Sequence, residues 1–143
     1  MSIKQISVFV ENKPGALLAM TTVLAENDID MRAFSLAEAS DFGIARIIVD
    51  DVYRTTTVLR DTGFVHSISP VLAVVIPNTP GGLCQVLQVL QEENVNVEYM
   101  YAFQGKKQDG AYMIFKVADD VKAAAVLQGR GIKLVDEETL ADL

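Results

Sequence analysis

Alternating apolar and polar positions open the chain. Ile6, Val8 and Val10 alternate with Ser7, Phe9 and Glu11, and this period of two predicts a β-strand. Pro14-Gly15 ends the strand, and Pro is well suited to the first turn of a helix. A stripe at helical spacing (i, i+3, i+4, i+7) follows, formed by Leu17, Met20, Thr21 and Leu24.

The rest of the first half predicts two strands, a helix and a closing strand. The two strands cover 30–39 and 43–50 and are joined at 40–42. The helix begins near Asp51 and ends before Gly63, in keeping with Asp at helix starts and Gly after helix ends. The closing strand covers 64–68. The first half therefore has the order βαββαβ.

The second half repeats the first. Val-Glu-Asn-Lys-Pro-Gly-Ala-Leu (Val10 to Leu17) returns 66 positions later as Ile-Pro-Asn-Thr-Pro-Gly-Gly-Leu (Ile76 to Leu83). The second helical stripe consists of Leu83, Val86, Leu87 and Leu90. Strands are predicted over 71–76, 96–103, 111–117 and 132–135, with a hairpin at 104–110 and a helix from Asp119-Asp120 to 129–131.

A βαββαβ unit repeated twice predicts an α+β fold made of two ferredoxin-like domains, residues 1–69 and 70–143. The two sheets are expected side by side, as one eight-stranded antiparallel sheet with four helices on one face. The opposite face is also apolar: both alternating sets of the strand 71–76 are hydrophobic, whereas a one-sided sheet alternates with polar residues. We therefore expect a second copy of the chain to cover that face, in a homodimer.

Composition limits the classes of partner. The net charge of −7 argues against nucleic acid, because phosphate binding needs clustered Lys and Arg. No apolar run is as long as a membrane-spanning helix requires, and the N-terminal residues lack the apolar region of a signal peptide, so no membrane association is expected. The single cysteine, Cys84, excludes an internal disulfide and favours the cytoplasm.

The repeated Asn-x-Pro-Gly loop is the best candidate site. Gly15 and the pair Gly81-Gly82 allow close approach to the backbone, and the first helical turn offers free N–H groups to a carboxylate or phosphate. Asn12 and Asn78 each offer a donor and an acceptor, which suits a zwitterionic amino acid. The alternative is that the loop only makes a turn. The predicted ligand-binding residues of the two loops are Asn12, Pro14, Gly15, Ala16, Leu17, Asn78, Gly81, Gly82 and Leu83.

The strand-loop-helix motif, followed by Asn-Asp-Ile-Asp-Met at the second strand, resembles the ACT domain, in two copies over the whole chain. The resemblance implies an amino acid bound where the loop of one domain faces the start of the second strand of its neighbour. Glu-Asn-Lys-Pro-Gly resembles the loop of serine-regulated dehydrogenases, whose effector-binding Asn matches Asn12. Their second effector Asn matches Asn96, whereas the first copy has Asp30, and the His that often begins the loop is Val10. The two sites are therefore expected to differ.

Other residues predict structural roles. His66 is the only histidine and has no neighbouring ligand type for a metal site. Cys84 is expected to be a buried apolar filler. Tyr99, Tyr101 and Phe103 fit a buried interface better than an RNA-stacking sheet, given the acidity. The acidic residues at 119–120 and 136–138 are expected to be helix caps and solvated surface rather than metal ligands.

No residues form a catalytic set, and no motif indicates a metal or cofactor. The sequence therefore predicts a non-enzymatic regulatory protein that resembles small bacterial proteins made only of two ACT domains and binds a small amino acid or a related effector. Two alternatives stay open: a pair of domains that only mediates interaction with a separate metabolic enzyme, and a small-molecule-processing enzyme.

Overall fold

The computed structural model describes residues 2–38, 40–103 and 111–142. The predicted hairpin at 104–110 and the predicted last residue of the second strand, Ala39, lie outside the described residues. The described elements are β1 (Ile3–Glu11), α1 (Ala16–Glu26), β2 (Met31–Glu38), β3 (Phe42–Val49), α2 (Val52–Asp61), β4 (His66–Ile76), α3 (Gly82–Glu92), β5 (Val97–Phe103), β6 (Ala111–Val117), α4 (Asp120–Gly129), β7 (Leu134–Val135) and α5 (Glu137–Ala141).

The chain divides into two compact units. The first unit is Lys4–Ser69, and the second is Pro70–Leu143 together with the residues before Lys4. Each unit has antiparallel strands and helices, so the α+β class and the order of elements agree with the sequence pattern.

In the first unit, β3 lies between β1 and β2 and is antiparallel to both. Phe9 donates its main-chain N–H to the Val65 carbonyl oxygen at 2.9 Å, just before β4 begins. The apolar positions of β1 predicted by the alternation face the two helices. The buried core that results contains Ile6, Val8 and Val10 of β1, Ala45, Ile47 and Val49 of β3, Met20 and Leu24 of α1, Ile29, and Leu59 of α2.

The second unit repeats this arrangement. Strand β6 lies between β4 and β5, and β7 pairs with β4 on its other side. Alternate residues of β4 again face the helices, so the helix-facing core matches the first unit in type. It includes Leu72, Val74 and Ile76 of β4, Val86, Val89 and Leu90 of α3, and Ala123, Ala124 and Leu127 of α4.

The prediction of eight strands is wrong for the described part of the chain, which contains seven. The closing strand predicted at 64–68 and the strand predicted at 71–76 form one continuous strand, β4. Pro70 does not interrupt it, although Pro removes a hydrogen-bond donor and is confined to places where the ladder does not need one. The chain thus passes from one unit to the other within β4.

Three further expectations change. Val71 and Ala73 are fully buried within a single chain, so the apolar strand 71–76 does not by itself require a second copy. Cys84 is exposed; the prediction that it is buried was wrong because the buried positions of α3 are Gly82, Val86, Val89 and Leu90, on another face of the helix. A fifth helix, α5, follows the last predicted strand.

Candidate ligand-binding site

The helices begin in two different ways. Asp51, Asp119 and Asp136 cap α2, α4 and α5, and each carboxylate accepts a hydrogen bond from the main-chain N–H three residues on, at 2.7–3.0 Å. At α5 the N–H and the hydroxyl of Thr139 hold the pKa of the Asp136 carboxyl below its ordinary value. These three caps are the ordinary way to satisfy a helix N-terminus.

Helices α1 and α3 have no such cap. They start after Gly15 and Gly81, both at φ 85°, with no side-chain hydrogen bond to the first turn and no acidic residue in it. The first intrahelical bond of α1 runs from the Ala19 N–H to the Gly15 carbonyl oxygen at 2.9 Å. The amides of Leu17 and Leu18 precede that bond, so they lack an acceptor inside the helix.

A cavity of about 440 Å³ lies at this uncapped end of α1, within the first unit. It extends from the β1–α1 loop to the end of β2 and the start of β3. Asn12 and Lys13 line it from the loop, and Leu17 from the first turn of α1. The other lining residues are Val10, Glu11, Leu36, Ala37, Glu38 and Gly43.

Three paired strands, β1, β3 and β2, contribute lining residues to the cavity. Gly43 lies directly opposite Val10 on one side and Glu38 on the other. A Cβ at Gly43 would lie 3.2 Å from the Ala37 carbonyl oxygen and from Leu36 Cδ1, a tight contact. Gly43 therefore allows the Leu36 side chain and the main chain of β2 to approach closely between Val10 and Glu38.

The charged side chains that line the cavity differ in whether they form ion pairs. Lys13 Nζ lies 2.7 Å from Glu11 Oε2, and both side chains are more than 60% exposed, so this ion pair contributes little stability. Among the described residues, Glu38 belongs to no ion pair. The cavity therefore combines a paired cation with an exposed carboxylate outside the ion pairs of the described residues.

A smaller cavity of about 320 Å³ lies on the other side of the same loop. Ala16 and Ala19 of α1 line it, together with Gly63 and Phe64 after α2. It shares Val10, Glu11 and Lys13 with the larger cavity. The β1–α1 loop thus separates two recesses of the first unit.

The structure brings together part of the residue set predicted for the first loop. Asn12 and Leu17 line the larger cavity and Ala16 the smaller one, whereas Pro14 and Gly15 line neither. Asp30 lies at the opposite end of the sheet, because β2 runs antiparallel to β3 and Asp30 precedes its first residue. Asp30 Oδ2 lies 3.3 Å from Arg32 Nε, and the Asp30 N–H donates to Asp50 Oδ1 at 3.2 Å.

The second loop has a different conformational reason for its glycines. Gly81 adopts φ 85°, as Gly15 does. A Cβ at Gly82, however, would lie 2.1 Å from the Pro77 carbonyl oxygen, which no side chain tolerates. Gly82 is therefore required by the loop itself, whether or not a ligand approaches it.

The remaining predicted residues of the second unit lie at two ends of its sheet. Asn78 is exposed in the loop after β4, and Leu83 is half-buried in the first turn of α3. Asn96 is exposed just before β5, at the far end of that strand from the loop. Within either unit, the loop and the start of the second strand are thus far apart, and the prediction that a neighbouring domain joins them stays a prediction.

Sequence reasoning missed the wall formed by Leu36, Glu38 and Gly43. The signal was present in the βαββαβ order itself, since an antiparallel third strand brings the hairpin between the second and third strands to the end of the first strand. In the structure, Glu11 pairs with Phe42, and the Asn12 N–H donates a hydrogen bond to the Asp41 carbonyl oxygen at 3.1 Å. The resemblance to the ACT domain instead predicted ligand contacts at the start of the second strand, which is its opposite end.

The described residues contain no group of three or more His, Cys, Asp or Glu side chains placed to hold a metal ion. Across the same residues, every helix is too short or too polar to cross a bilayer.

Comparisons with known proteins identify the family. Residues 1–143 match the family model described as an ACT domain pair. Protein BT0572 from Bacteroides thetaiotaomicron is 37% identical, with a TM-score of 0.92 over 100% of this chain and 98% of that chain. No curated protein matches.

Two more distant structures share the fold. The regulatory subunit of aspartate kinase from Thermus thermophilus, in its ligand free form, has a TM-score of 0.66 at 15% identity and covers 90% of each chain. Aspartokinase alpha and beta subunits give a TM-score of 0.60 at 15% identity, over 88% of this chain and 90% of that chain. The family model spans every residue, and the chain belongs to the ACT domain pair family.

Proposed function

We propose that this protein is a non-enzymatic regulatory protein that binds a small amino acid at the β1–α1 loop of its first repeat. The observation that carries the proposal is the cavity of about 440 Å³ at the uncapped start of α1. Its volume falls in the range of small-molecule sites, about 300–1,000 Å³. The other described helices outside the repeated loops start with an Asp cap, so the open helix starts are confined to the Asn-x-Pro-Gly loops.

The chemistry of the lining fits a zwitterion. The Leu17 and Leu18 amides and the helix dipole favour a carboxylate at the start of α1. Asn12 supplies both a donor and an acceptor, and Lys13 can turn from Glu11 to the ligand at small cost because an exposed ion pair is weak. Leu17 and Leu36 provide apolar surface for a side chain or Cα.

A regulatory protein of this kind acts on a separate protein. The fold is shared with the regulatory subunit of aspartate kinase from Thermus thermophilus, and we propose a separate metabolic enzyme as the partner here. Amino-acid binding would change the affinity for that enzyme, and by linkage the enzyme would change the affinity for the amino acid by the same factor.

A second function, in which the pair only mediates interaction, is favoured by one surface. Phe9 and Phe42 are 40% and 44% exposed on the sheet of the first unit, with ring centroids 5.9 Å apart. Contiguous exposed apolar surface marks places where proteins associate. This surface is compatible with the predicted homodimer as well as with a partner enzyme.

One experiment separates the two functions. Thermal unfolding is measured with each of the twenty amino acids at millimolar concentration, and sedimentation equilibrium is run with and without any that shift the melting curve. A ligand at about 100 times its Kd adds about 2.7 kcal/mol, which raises Tm by roughly 5–10 °C for a chain of this size.

No shift with any amino acid would contradict amino-acid binding and leave the interaction function ahead. A monomer at micromolar concentration that nevertheless binds an amino acid would contradict the homodimer alone.

A further inference from the structure

Strand register places Glu38 on the same side of the sheet as α1. Val10 faces the helices and is buried in their core. Gly43 lies directly opposite Val10, and Glu38 directly opposite Gly43, and directly opposite residues of an antiparallel pair share one face. The Glu38 side chain therefore lies on the helix side of the sheet, with Gly43 between Glu38 and Val10 in the register.

The gap between the β1–α1 loop and Glu38, which is part of the larger cavity, has the width of a small molecule. Two strand spacings separate β2 from β1, which is about 10 Å. The loop residues Asn12 and Lys13 bound the gap at one side and Glu38 at the other, and all three line one cavity. An anionic group at the loop and a cationic group at Glu38 would each meet a complementary partner.

We infer that Glu38 binds the ammonium group of the effector, so that the site of the first repeat selects small α-amino acids with an uncharged side chain. This inference rests on the proposed function. The side chain of the amino acid would lie against Leu17 and Leu36. A second carboxylate on the ligand would be disfavoured, because the lining already carries Glu11 and Glu38 against the single cation of Lys13.

The second repeat keeps Asn78 and the uncapped helix start but differs at the sheet and in the charged residues. Ala111 lies opposite Ile76, where the first repeat has Gly43 opposite Val10, so a Cβ stands on the floor. Its loop has Pro77 and Thr79 in place of Glu11 and Lys13, and the sequence counterpart of Glu38, at an offset of 66, is the uncharged Gln104. The inference therefore assigns one amino-acid site to each chain.

The test uses the full chain and measures the affinity ratio between an amino acid and its des-amino acid. The probes are glycine, L-alanine, L-serine and L-valine, paired with acetate, propionate, 3-hydroxypropionate and 3-methylbutanoate. In the unmodified protein, isothermal titration calorimetry is expected to show at least one amino acid binding about tenfold more tightly than its partner acid. Glu38→Gln should remove that preference while leaving the affinity for the partner acid unchanged.

Glu26→Gln is the matched control, because Glu26 is an exposed acid at the far end of α1; it should preserve the preference. Gly43→Ala should lower affinity for every amino acid that binds, whereas Ala111→Gly in the second repeat should leave binding at one site per chain.

The outcomes are distinguishable. Binding of an amino acid with an unchanged preference in Glu38→Gln overturns the inference and leaves the proposed function intact. So does binding restricted to amino acids with charged side chains, or two sites per chain. Absence of binding by all twenty amino acids overturns the proposed function itself.

Discussion

The two proline-glycine loops are copies of one sequence, and they have come to depend on their glycines for different reasons. Both loops turn into a helix through a glycine at φ 85°. In the first loop the next residue is Ala16, whose Cβ is accommodated; in the second it is Gly82, where a Cβ would meet the Pro77 carbonyl oxygen at 2.1 Å. In the second loop, the Pro77 carbonyl oxygen thus occupies the space in which the first loop accommodates a Cβ.

The same pair of loops differs in chemistry. The first carries the Glu11–Lys13 ion pair and borders a cavity with Gly43 as its floor. The second is built from Pro77, Thr79 and Pro80, without charge. A duplicated motif therefore retains its turn geometry more readily than the surroundings that make it a site, which is why the double occurrence could not decide between a turn and a site.

The largest effect on this comparison is expected from exchanging the residue after the left-handed glycine. Gly82→Ala should destabilise the protein by about 2–3 kcal/mol, because the new methyl group overlaps a carbonyl oxygen and the loop must move. The matched change Ala16→Gly should cost only about 0.5–1 kcal/mol, from added backbone freedom at a helix start. Chemical unfolding of both variants measures the two costs. Equal values would mean that the second loop has room for a methyl group at position 82.

Asparagine exchange should produce an intermediate effect, on binding rather than folding. Asn12→Ala should weaken the affinity for an amino acid by about 1–3 kcal/mol, the cost of losing a buried polar contact with a ligand. Asn78→Ala should leave it unchanged, because the second loop is not expected to bind. Calorimetric titration measures both. A lower apo Tm with unaltered affinity in Asn12→Ala would instead assign that residue to the turn.

The smallest effect concerns α5, which has no counterpart in the first unit. Hydrogen bonds from Thr139 lower the pKa of the Asp136 carboxyl, so its contribution to folding is present above the unfolded pKa of 3.8 and is lost as the pH falls through the lower folded pKa. The Tm difference between the unmodified protein and Asp136→Asn should therefore be largest near neutral pH and narrow below about pH 3.8. A pH-independent difference would contradict the cap.

Much of the fold could be predicted from local patterns. The alternation at Ile6, Val8 and Val10 identified a strand with one buried face. Asp51 and Asp119 marked the starts of α2 and α4, because the carboxylate of an extended N-cap residue accepts a hydrogen bond from the first turn of the helix. The resemblance to the ACT domain is confirmed over the whole chain.

The features that escaped prediction depend on partners distant in sequence. Ser69-Pro70 has the composition of a boundary, but the hydrogen-bonding partners on the two halves of β4 decide that the strand continues. From the sequence alone, Glu38 has the pattern of a solvated charge. Its position opposite Gly43 depends on the strand register. The exposure of Cys84 follows from which face of α3 packs on β4, and its helical position alone allowed either environment.

The uninterrupted strand β4 has a consequence for amide hydrogen exchange. Residues 66–69 belong to the first unit and residues 70–76 to the second, so complete opening of the first unit releases the start of the strand. Ligand bound at the first loop lowers the population of the opened first unit, and opened segments are the route by which core amides exchange. Main-chain amides at 66–69 would then exchange more slowly in the presence of the amino acid, so the first residues of β4 would report ligand binding at a loop more than fifty residues earlier in the chain.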